Sequence, residues 1–258
     1  MRKLLLSVVI SILLATGSLH AATFEVGLTP VWWQYQEQSE QRAGMASTPF
    51  QSKANGYALA AESIIQYDMN RQWLIEGSWR GLFSTGTITE QWQLNGGNQR
   101  NQLAINQSEF QVGLLRKLAT LQIGAWTSYQ WHEQSRKQFI SNGVPVLLAG
   151  EPIKEAVQTV WAGVTLRYDI DDWFFTFDSA LPIWVYTTND LVSKAFKKRS
   201  GYRITLRMKR TLPWHIAKAE TAVTAAYQYR VLGNDLKTTA LWPKNSWTAF
   251  SLGLSLIW

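Results

Sequence analysis

The sequence predicts an all-β chain that closes into a transmembrane antiparallel up-and-down β-barrel of about ten strands. Three observations support this prediction. Residues 249–258 alternate small side chains with large apolar ones, from Phe250 to Trp258, and a period of two is typical of a strand with two unlike faces. Short connections alternate with long ones along the chain. The 14 Trp residues exceed the needs of a soluble domain of this size, whereas membrane barrels carry aromatic girdles.

The first residues have the composition of a segment that is removed on export. Arg2 and Lys3 precede an apolar run from Leu4 to Ala15, and small residues follow it around Ala21. This pattern predicts a signal peptide over residues 1–22 and a barrel domain over residues 23–258. The run is too short for a membrane-spanning helix, which needs about 20 residues. The absence of cysteine excludes disulfides and thiolate metal sites.

Apolar residues at every second position predict ten strands. They cover about residues 23–36, 56–68, 72–86, 104–116, 119–132, 157–169, 173–187, 201–211, 219–232 and 249–258. In chain order, each strand is supported by alternating residues such as Phe24 and Val26, Tyr57 and Leu59, Trp73 and Ile75, Phe110 and Val112, Ile123 and Ala125, Val164 and Leu166, Phe175 and Phe177, Ile204 and Leu206, Tyr227 and Tyr229, and Leu252 and Leu254.

The connections between these strands are of two kinds. Short ones lie near 69–71, 116–118, 170–172 and 211–218, and long ones lie near 37–55, 87–103, 133–156, 188–200 and 233–246. This asymmetry is typical of outer-membrane barrels, so the short turns are expected in the periplasm and the long loops outside the cell. Asn95-Gly96 and Asn142-Gly143 are hairpin signals inside long connections, so strands are expected to continue beyond the membrane there. Eight or twelve strands stay open if 37–55 or 137–150 is miscounted.

A soluble β-sandwich also alternates, with its apolar face buried and its polar face in water. Charges at positions that a closed barrel would enclose, and Trp and Tyr near strand ends, favour the membrane barrel instead. The same alternation predicts a charged set that lines the lumen. It comprises Glu25, Glu62, Glu76, Arg80, Glu109, Arg167, Asp178, Arg203, Arg207, Lys209, Glu220 and Arg230.

Pairings within the lumen set follow from the predicted turns. A tight turn at Met69-Asn70 would place Glu62 opposite Ser78, diagonal to Glu76 and Arg80. A similar count around Leu212–Ala217 would place Glu220 beside Arg207 or Lys209, with Asp178 nearby.

The lumen has two interpretations. Paired charges can plug a narrow barrel, since an unpaired buried charge is costly. Alternatively, Arg167, Arg203, Arg207 and Arg230 could line a path for a small ion or solute. Wide aqueous channels need 16–18 strands, so ten strands allow at most a slender pore.

Few residues suggest catalysis. His132, Glu133 and Ser135 lie at the external end of the fifth predicted strand and could indicate acyl hydrolysis. Positions i, i+1 and i+3 of an extended segment, however, do not meet in a triad. His215 falls in a predicted short turn. We find no metal-ligand cluster, phosphate loop or nucleotide fingerprint. The sequence therefore predicts no catalytic residue, no metal and no cofactor.

The net charge of +7 at pH 7 favours an anionic lipid surface over nucleic acid for an exported chain. Lys194, Lys197, Lys198 and Arg199 form the most basic run, in a long connection. Either they form a solvated loop or they contact lipopolysaccharide phosphates.

The alternation, the loop asymmetry and the last strand ending at Trp258 resemble bacterial outer-membrane β-barrel proteins across the whole mature chain. The strand count is similar to that of the omptin proteases, but the paired acidic residues and the Asp-His pair of that family have no match. The resemblance implies residence in the outer membrane, contact with its lipid and lipopolysaccharide, and recognition of the terminal strand by the barrel-assembly machinery. The expected function is a non-catalytic narrow channel or surface-interaction barrel; the alternative is a protease or lipid hydrolase with a site at the rim.

Overall fold

The computed structural model describes residues 22–38, 50–94, 97–146, 152–190, 192–197, 200–233 and 244–258, which form an all-β structure. Its strands are β1 (Ala22–Gln38), β2 (Phe50–Asp68), β3 (Trp73–Ser84), β4 (Ile88–Leu94), β5 (Gly97–Leu118), β6 (Leu121–Ser141), β7 (Val144–Val146), β8 (Ile153–Ile170), β9 (Trp173–Asn189), β10 (Val192–Lys197), β11 (Gly201–Ile216), β12 (Ala219–Leu232) and β13 (Lys244–Ile257). Among these residues, no helix is long and apolar enough to cross a membrane.

The strands close into an antiparallel barrel, because β1 pairs with β2 on one side and with β13 on the other. β3 and β4 share one position, since both lie between β2 and β5. β7 and β10 are short additions that pair with β6 and β9. The barrel therefore has ten strand positions in the described residues, as predicted. In the described part of the chain, each of the ten positions pairs on both sides, which removes the usual site of strand-to-strand aggregation.

Most strands are longer than predicted. β5 and β6 reach 22 and 21 residues, and β2 begins at Phe50, inside a segment predicted to be a connection. A tilted strand of about 9–11 residues already crosses a membrane. The extra length therefore extends the barrel beyond the belt at one end, which we call the extended end. The opposite, short-turn end carries tight turns such as Ala217-Lys218, where both residues have positive φ, as type I′ hairpins require.

The predicted register of the first hairpin is wrong by two residues. Tyr67 lies opposite Ile75 rather than Trp73, and Glu62 lies opposite Arg80 rather than Ser78. The turn takes four residues instead of two. Asn70 causes this, because its Oδ1 accepts the backbone N–H groups of Gln72 and Trp73 at 2.8 and 3.0 Å and so closes a wider turn.

The two faces of every strand differ, as the alternation predicts. Outward-facing apolar side chains form a belt around the short-turn half, in which Leu252 is 64% exposed and Val112 is 58% exposed. On β1 this belt runs from Phe24 to Trp32. Inward-facing residues fill the lumen and supply the buried core. Two apolar clusters lie there, one around Trp33 and Trp247 and the other around Trp161.

Candidate functional site

The lumen of the short-turn half holds a cage of ion pairs. Glu25 accepts a hydrogen bond from Lys209 at 2.9 Å, Glu62 from Arg207 at 2.8 Å, Glu76 from Arg167 at 2.6 Å, and Glu109 from Arg203 at 2.6 Å. Each pair joins strands that are not neighbours in the barrel. The side chains therefore cross the lumen, and each carboxylate meets a cation where water is scarce.

Eight predicted lumen residues line one small cavity inside this cage. They are Glu62, Glu76, Arg80, Glu109, Arg167, Asp178, Arg203 and Arg207. The cavity holds about 50 Å³, which suits water or a single small ion. Four cations and four carboxylates thus share a space too small for a solute, and their formal charges cancel.

Further contacts fix the side chains of this cage. Ser128 donates to Glu109 at 2.6 Å, and Gln130 donates to its other oxygen at 3.2 Å. The guanidinium of Arg203 lies 4.8 Å from the ring centroid of Trp126 and 5.1 Å from that of Trp161, within cation–π range. Glu109 and Arg203 are thus each positioned by further side chains in addition to their mutual ion pair.

Glu220 does not join the cage. It lies opposite His215 at the short-turn end and is exposed, so its predicted position beside Arg207 or Lys209 is wrong. β11 continues to Ile216 rather than ending near 211, and this moves the turn and Glu220 away from both cations. Lys209 binds Glu25 instead.

An aromatic and aliphatic layer lies above the cage, towards the extended end. The indoles of Trp33 and Trp247 stack with ring centroids 5.0 Å apart and planes 13° from parallel. Leu103 and Ile105 face the same space, and all four side chains are at most 1% exposed. Arg230 lies at this level, with its guanidinium 5.8 Å from the Trp247 ring and bonded to Gln130. We call Trp33, Trp247, Leu103 and Ile105 the sealing layer.

His132, the rim histidine of the hydrolase alternative, faces inward beside the sealing layer. It is 3% exposed, and its ring meets Trp247 edge-on at a centroid distance of 5.7 Å. Its Nε2 lies 3.3 Å from Gln134 Nε2. Glu133 is the next residue of β6, so it lies on the opposite strand face from His132, in register with Ala156. The predicted position of His132 at the external end of its strand is therefore wrong, because β6 continues past it to Ser141.

A second charged group lies beyond the sealing layer, inside the extended end. We call Glu37, Glu90, Glu155 and Arg136 the upper cluster. Arg136 Nε donates to Glu90 at 2.7 Å, Nη2 lies 3.3 Å from Glu37, and Nη1 lies 3.5 Å from Glu155. All four side chains are at most 7% exposed. Three carboxylates thus share one guanidinium in a buried setting.

The carboxylates of the upper cluster differ in their other partners. Glu90 also accepts hydrogen bonds from Asn101 at 2.8 Å and from Ser52 at 3.1 Å. Burial alone would raise the pKa of Glu90, but the charge and hydrogen bonds of Arg136 and the hydrogen bond of Asn101 hold it below its ordinary value. Glu90 therefore stays charged.

Glu37 lies beyond the belt and has fewer donors. Burial, together with the charges of Glu155 and Glu90, raises its pKa to about 7 against the opposing charge of Arg136. The Tyr35 hydroxyl donates to one oxygen of Glu37. Asn245 lies opposite Glu37 across β1 and β13, and its buried Oδ1 has no hydrogen-bond partner in the described part of the chain. A protonated Glu37 is a donor of the kind that this oxygen lacks.

The upper cluster was missed by sequence reasoning because its members fall in segments predicted to be connections. One signal was present: Gln130, His132, Gln134 and Arg136 continue the inward alternation of β6 past its predicted end. Among the described side chains, no group of three or more His, Asp or Glu residues is arranged to hold a metal ion. The carboxylates of the upper cluster converge on Arg136 instead.

The basic run of the sequence falls outside what the structure describes in full. Lys194 and Lys197 belong to β10, whose side chains are not described, and Lys198 and Arg199 lie outside the described residues. The described backbone places β10 beside β9 at the extended end, where Val192 pairs with Asn189.

Comparisons with known proteins agree with the fold. The structure is similar to outer membrane protease OmpT from Escherichia coli, with a TM-score of 0.61 and 14% identity, covering 95% of this chain and 100% of that one. It also matches the translocator domain of autotransporter NalP from Neisseria meningitidis, with a TM-score of 0.43 and 11% identity, covering 99% of this chain and 94% of that one. No protein-family model matches the sequence, and no curated protein does. The predicted resemblance to outer-membrane β-barrels is thus confirmed at the level of the fold.

Proposed function

We propose that this chain is an integral outer-membrane barrel with a closed lumen, and that it acts without catalysis by binding a partner at its extended end. The observation that carries the proposal is the sealing layer. Inside the lumen, Trp33 of β1 stacks on Trp247 of the neighbouring strand β13, and both pack in one buried cluster with Leu103 and Ile105 of β5. The cavity below this layer holds about 50 Å³. Protein interiors packed in this way leave no continuous path for a solute. The plug interpretation is therefore preferred to the pore.

Conductance in planar bilayers tests the closed lumen. We expect no resolved single-channel steps from the wild-type barrel. The double variant Trp33→Ala with Trp247→Ala removes both stacked indoles and should produce small, resolved steps. Trp32→Ala is the matched control, because Trp32 faces outward and packs on Phe250 instead of the lumen. Steady conductance from the wild type would overturn the proposal.

The non-catalytic part of the proposal is supported by the surroundings of His132. The ring is buried against Trp247 and Gln134, and neither residue is the carboxylate or hydroxyl that a hydrolytic triad needs. We expect His132→Ala to leave any lipid or peptide hydrolysis by the purified barrel at its background rate. Hydrolysis that depends on His132 would restore the rim-enzyme alternative.

The proposed location is the bacterial outer membrane, with the short-turn end in the periplasm. The belt supports it, since exposed apolar side chains such as Leu252 and Val112 need a lipid surface. We also propose cleavage of residues 1–22, contact of Lys194, Lys197, Lys198 and Arg199 with lipopolysaccharide, and recognition of the strand ending at Trp258 by the assembly machinery. Membrane fractionation with N-terminal sequencing tests location and cleavage together, and recovery in the inner membrane would contradict the location.

A further inference from the structure

A cleft at the extended end lies outside the sealed lumen. It has a volume of about 880 Å³ and is lined by β2, β4, β5, β6 and the turn that follows β6. This volume is within the range of about 300–1,000 Å³ that is usual for ligand sites. The cleft is far larger than the cavity in the cage, so it has room for a sizeable ligand.

The strand register arranges the lining in cross-strand rows. Gln51 lies opposite Gln93, and Gln93 lies opposite Asn98. In the next row, Lys53 lies opposite Gln91, and Gln91 lies opposite Arg100. Directly opposed side chains lie about 4.5–5.5 Å apart at Cβ, so each row presents its polar groups as a continuous line.

The tip of the cleft is held by Asn142. Its side-chain Oδ1 accepts the backbone N–H of Asn98 at 3.0 Å, and its own backbone N–H donates to the Asn98 carbonyl at 2.9 Å. These bonds tie the start of β5 to the end of β6. The cross-strand rows therefore belong to a pre-formed surface, which lowers the entropy cost of binding.

Primary amides dominate the lining: Gln51, Gln91, Gln93, Asn98, Gln99 and Asn142. Each amide carries two N–H donors and a carbonyl acceptor. A ligand that fits such a surface must itself offer donors and acceptors at short, regular intervals. The hydroxyl groups of a sugar chain have this property, whereas an apolar ligand would leave the amides unpaired.

Lys53 and Arg100 supply the charge of the cleft. The register places both in the second row, on the strand face that carries the amide rows. None of the described lining residues is acidic, so the charge favours an anionic ligand.

We propose that this cleft binds an acidic oligosaccharide, with the amide rows bonding its hydroxyls and Lys53 and Arg100 pairing with its carboxylates. The inference rests on the proposed function, because the cleft meets an external glycan only if the extended end faces outward. It names the partner class that the proposed function leaves open.

Calorimetry on the purified full-length barrel in detergent tests the inference, with a galacturonic acid hexasaccharide as the probe. We expect saturable binding to the hexasaccharide. Its fully methyl-esterified form has the same rings without charge and should bind roughly tenfold more weakly, as two lost charge-assisted contacts predict. Polyglutamate of equal charge should not bind, because it lacks hydroxyls.

Variants locate the site. Lys53→Gln with Arg100→Gln should weaken hexasaccharide binding by roughly tenfold. Lys137→Gln is the matched control: it removes an exposed cation of β6 that does not line the cleft, and binding should not change. Gln91→Ala with Gln93→Ala should weaken the charged and the esterified form equally.

The outcomes separate the inference from the proposed function. Equal binding of polyglutamate would show attraction by charge alone and overturn the inference. Absence of hexasaccharide binding from a barrel that is folded and electrically silent would also overturn it and leave the closed barrel standing. A conducting wild-type barrel would overturn the proposed function, whatever the cleft binds.

Discussion

The two charged regions of the lumen differ in balance. The cage distributes four carboxylates among four guanidinium groups around one cavity, and Lys209 binds a fifth carboxylate below it. In the upper cluster, Glu37, Glu90 and Glu155 all depend on Arg136. Loss of one cation in the cage leaves others within the same space, whereas loss of Arg136 leaves three buried carboxyl groups without the cation that they share. The comparison teaches that the stability lost on substitution depends on how many counter-charges lie near the affected group. The length of any single contact matters less.

Removal of Arg136 should have the largest effect. Arg136→Met keeps side-chain length and deletes the charge, so Glu90 loses its ion pair in a site that is nearly free of water. Breaking a buried pair in this way costs about 3–5 kcal/mol of unfolding free energy. Urea unfolding in micelles, followed by tryptophan fluorescence, measures the change.

Lys137→Met is the control for Arg136→Met, since it removes the neighbouring exposed cation of β6. We expect a change within about 0.5 kcal/mol for this surface position. If both variants lost the same unfolding free energy, Arg136 would contribute no more than an exposed cation. The proposed contrast between the upper cluster and the cage would then be wrong.

The next effect is a pH dependence that belongs to the upper cluster. Burial, together with the neighbouring Glu155 and Glu90, raises the pKa of Glu37 to about 7 although Arg136 lowers it. The unfolded chain releases this proton near pH 4.3, so between the two values the folded state binds more protons. Stability from Glu37 is complete below the unfolded pKa and is lost as pH rises through about 7. The loss is on the order of 3 kcal/mol.

Glu37→Gln sharpens this test. The amide cannot ionise, so the decline in urea stability between pH 5 and 8 should disappear, and the variant should exceed the wild type at pH 8. Glu90→Gln is the matched comparison within the upper cluster. Since Arg136, Asn101 and Ser52 hold Glu90 in its charged form, that substitution should destabilise the barrel at every pH in this range. A decline that persists in Glu37→Gln would assign the proton to another group.

The cage should show an intermediate effect. Arg203→Met removes the ion pair of Glu109, but Ser128 and Gln130 still donate to that carboxylate and Arg80 lines the same cavity. We expect a loss of about 1–3 kcal/mol in urea unfolding, the usual cost of a weakened buried polar group, and smaller than for Arg136→Met. Reversal of that order would contradict the sharing of charge among the cage residues.

The contrast between the two regions also shows what sequence patterns can predict. The cage lies within the belt, where apolar residues at every second position mark the outward face and leave Glu62, Glu109 and Arg203 facing inward. Beyond the belt the outward face becomes polar, so the period of two that marks an outward apolar face fades, and β5 and β6 were cut short. The segments that hold Glu90 and Arg136 therefore had no outward apolar face to reveal them.

Ion pairs across the lumen are harder to predict from the sequence than the face on which a residue lies. Glu62 and Arg207 are 145 residues apart, and Glu25 and Lys209 are 184 residues apart. Which residues meet depends on barrel closure and on the stagger of each strand. A single turn changes that stagger, as the four-residue turn at Asn70 does by placing Glu62 opposite Arg80. Alternation predicts the strand face on which a residue lies. Its partner across the lumen depends on the register of every strand pair between the two strands.

The smallest effect should come from Lys117 and Asp68 at the short-turn end. Their ion pair is 2.6 Å long, the same as that of Arg203 and Glu109, but the side chains are 29% and 47% exposed instead of 4% and 9%. Water screens the exposed pair and solvates each partner when the other is lost, so such pairs contribute about 0–1 kcal/mol. Lys117→Gln should change the urea midpoint far less than Arg203→Met does. If the two variants lost equal stability, contact length would matter more than burial and more than the number of nearby counter-charges. The difference between the cage and the upper cluster would then need another cause.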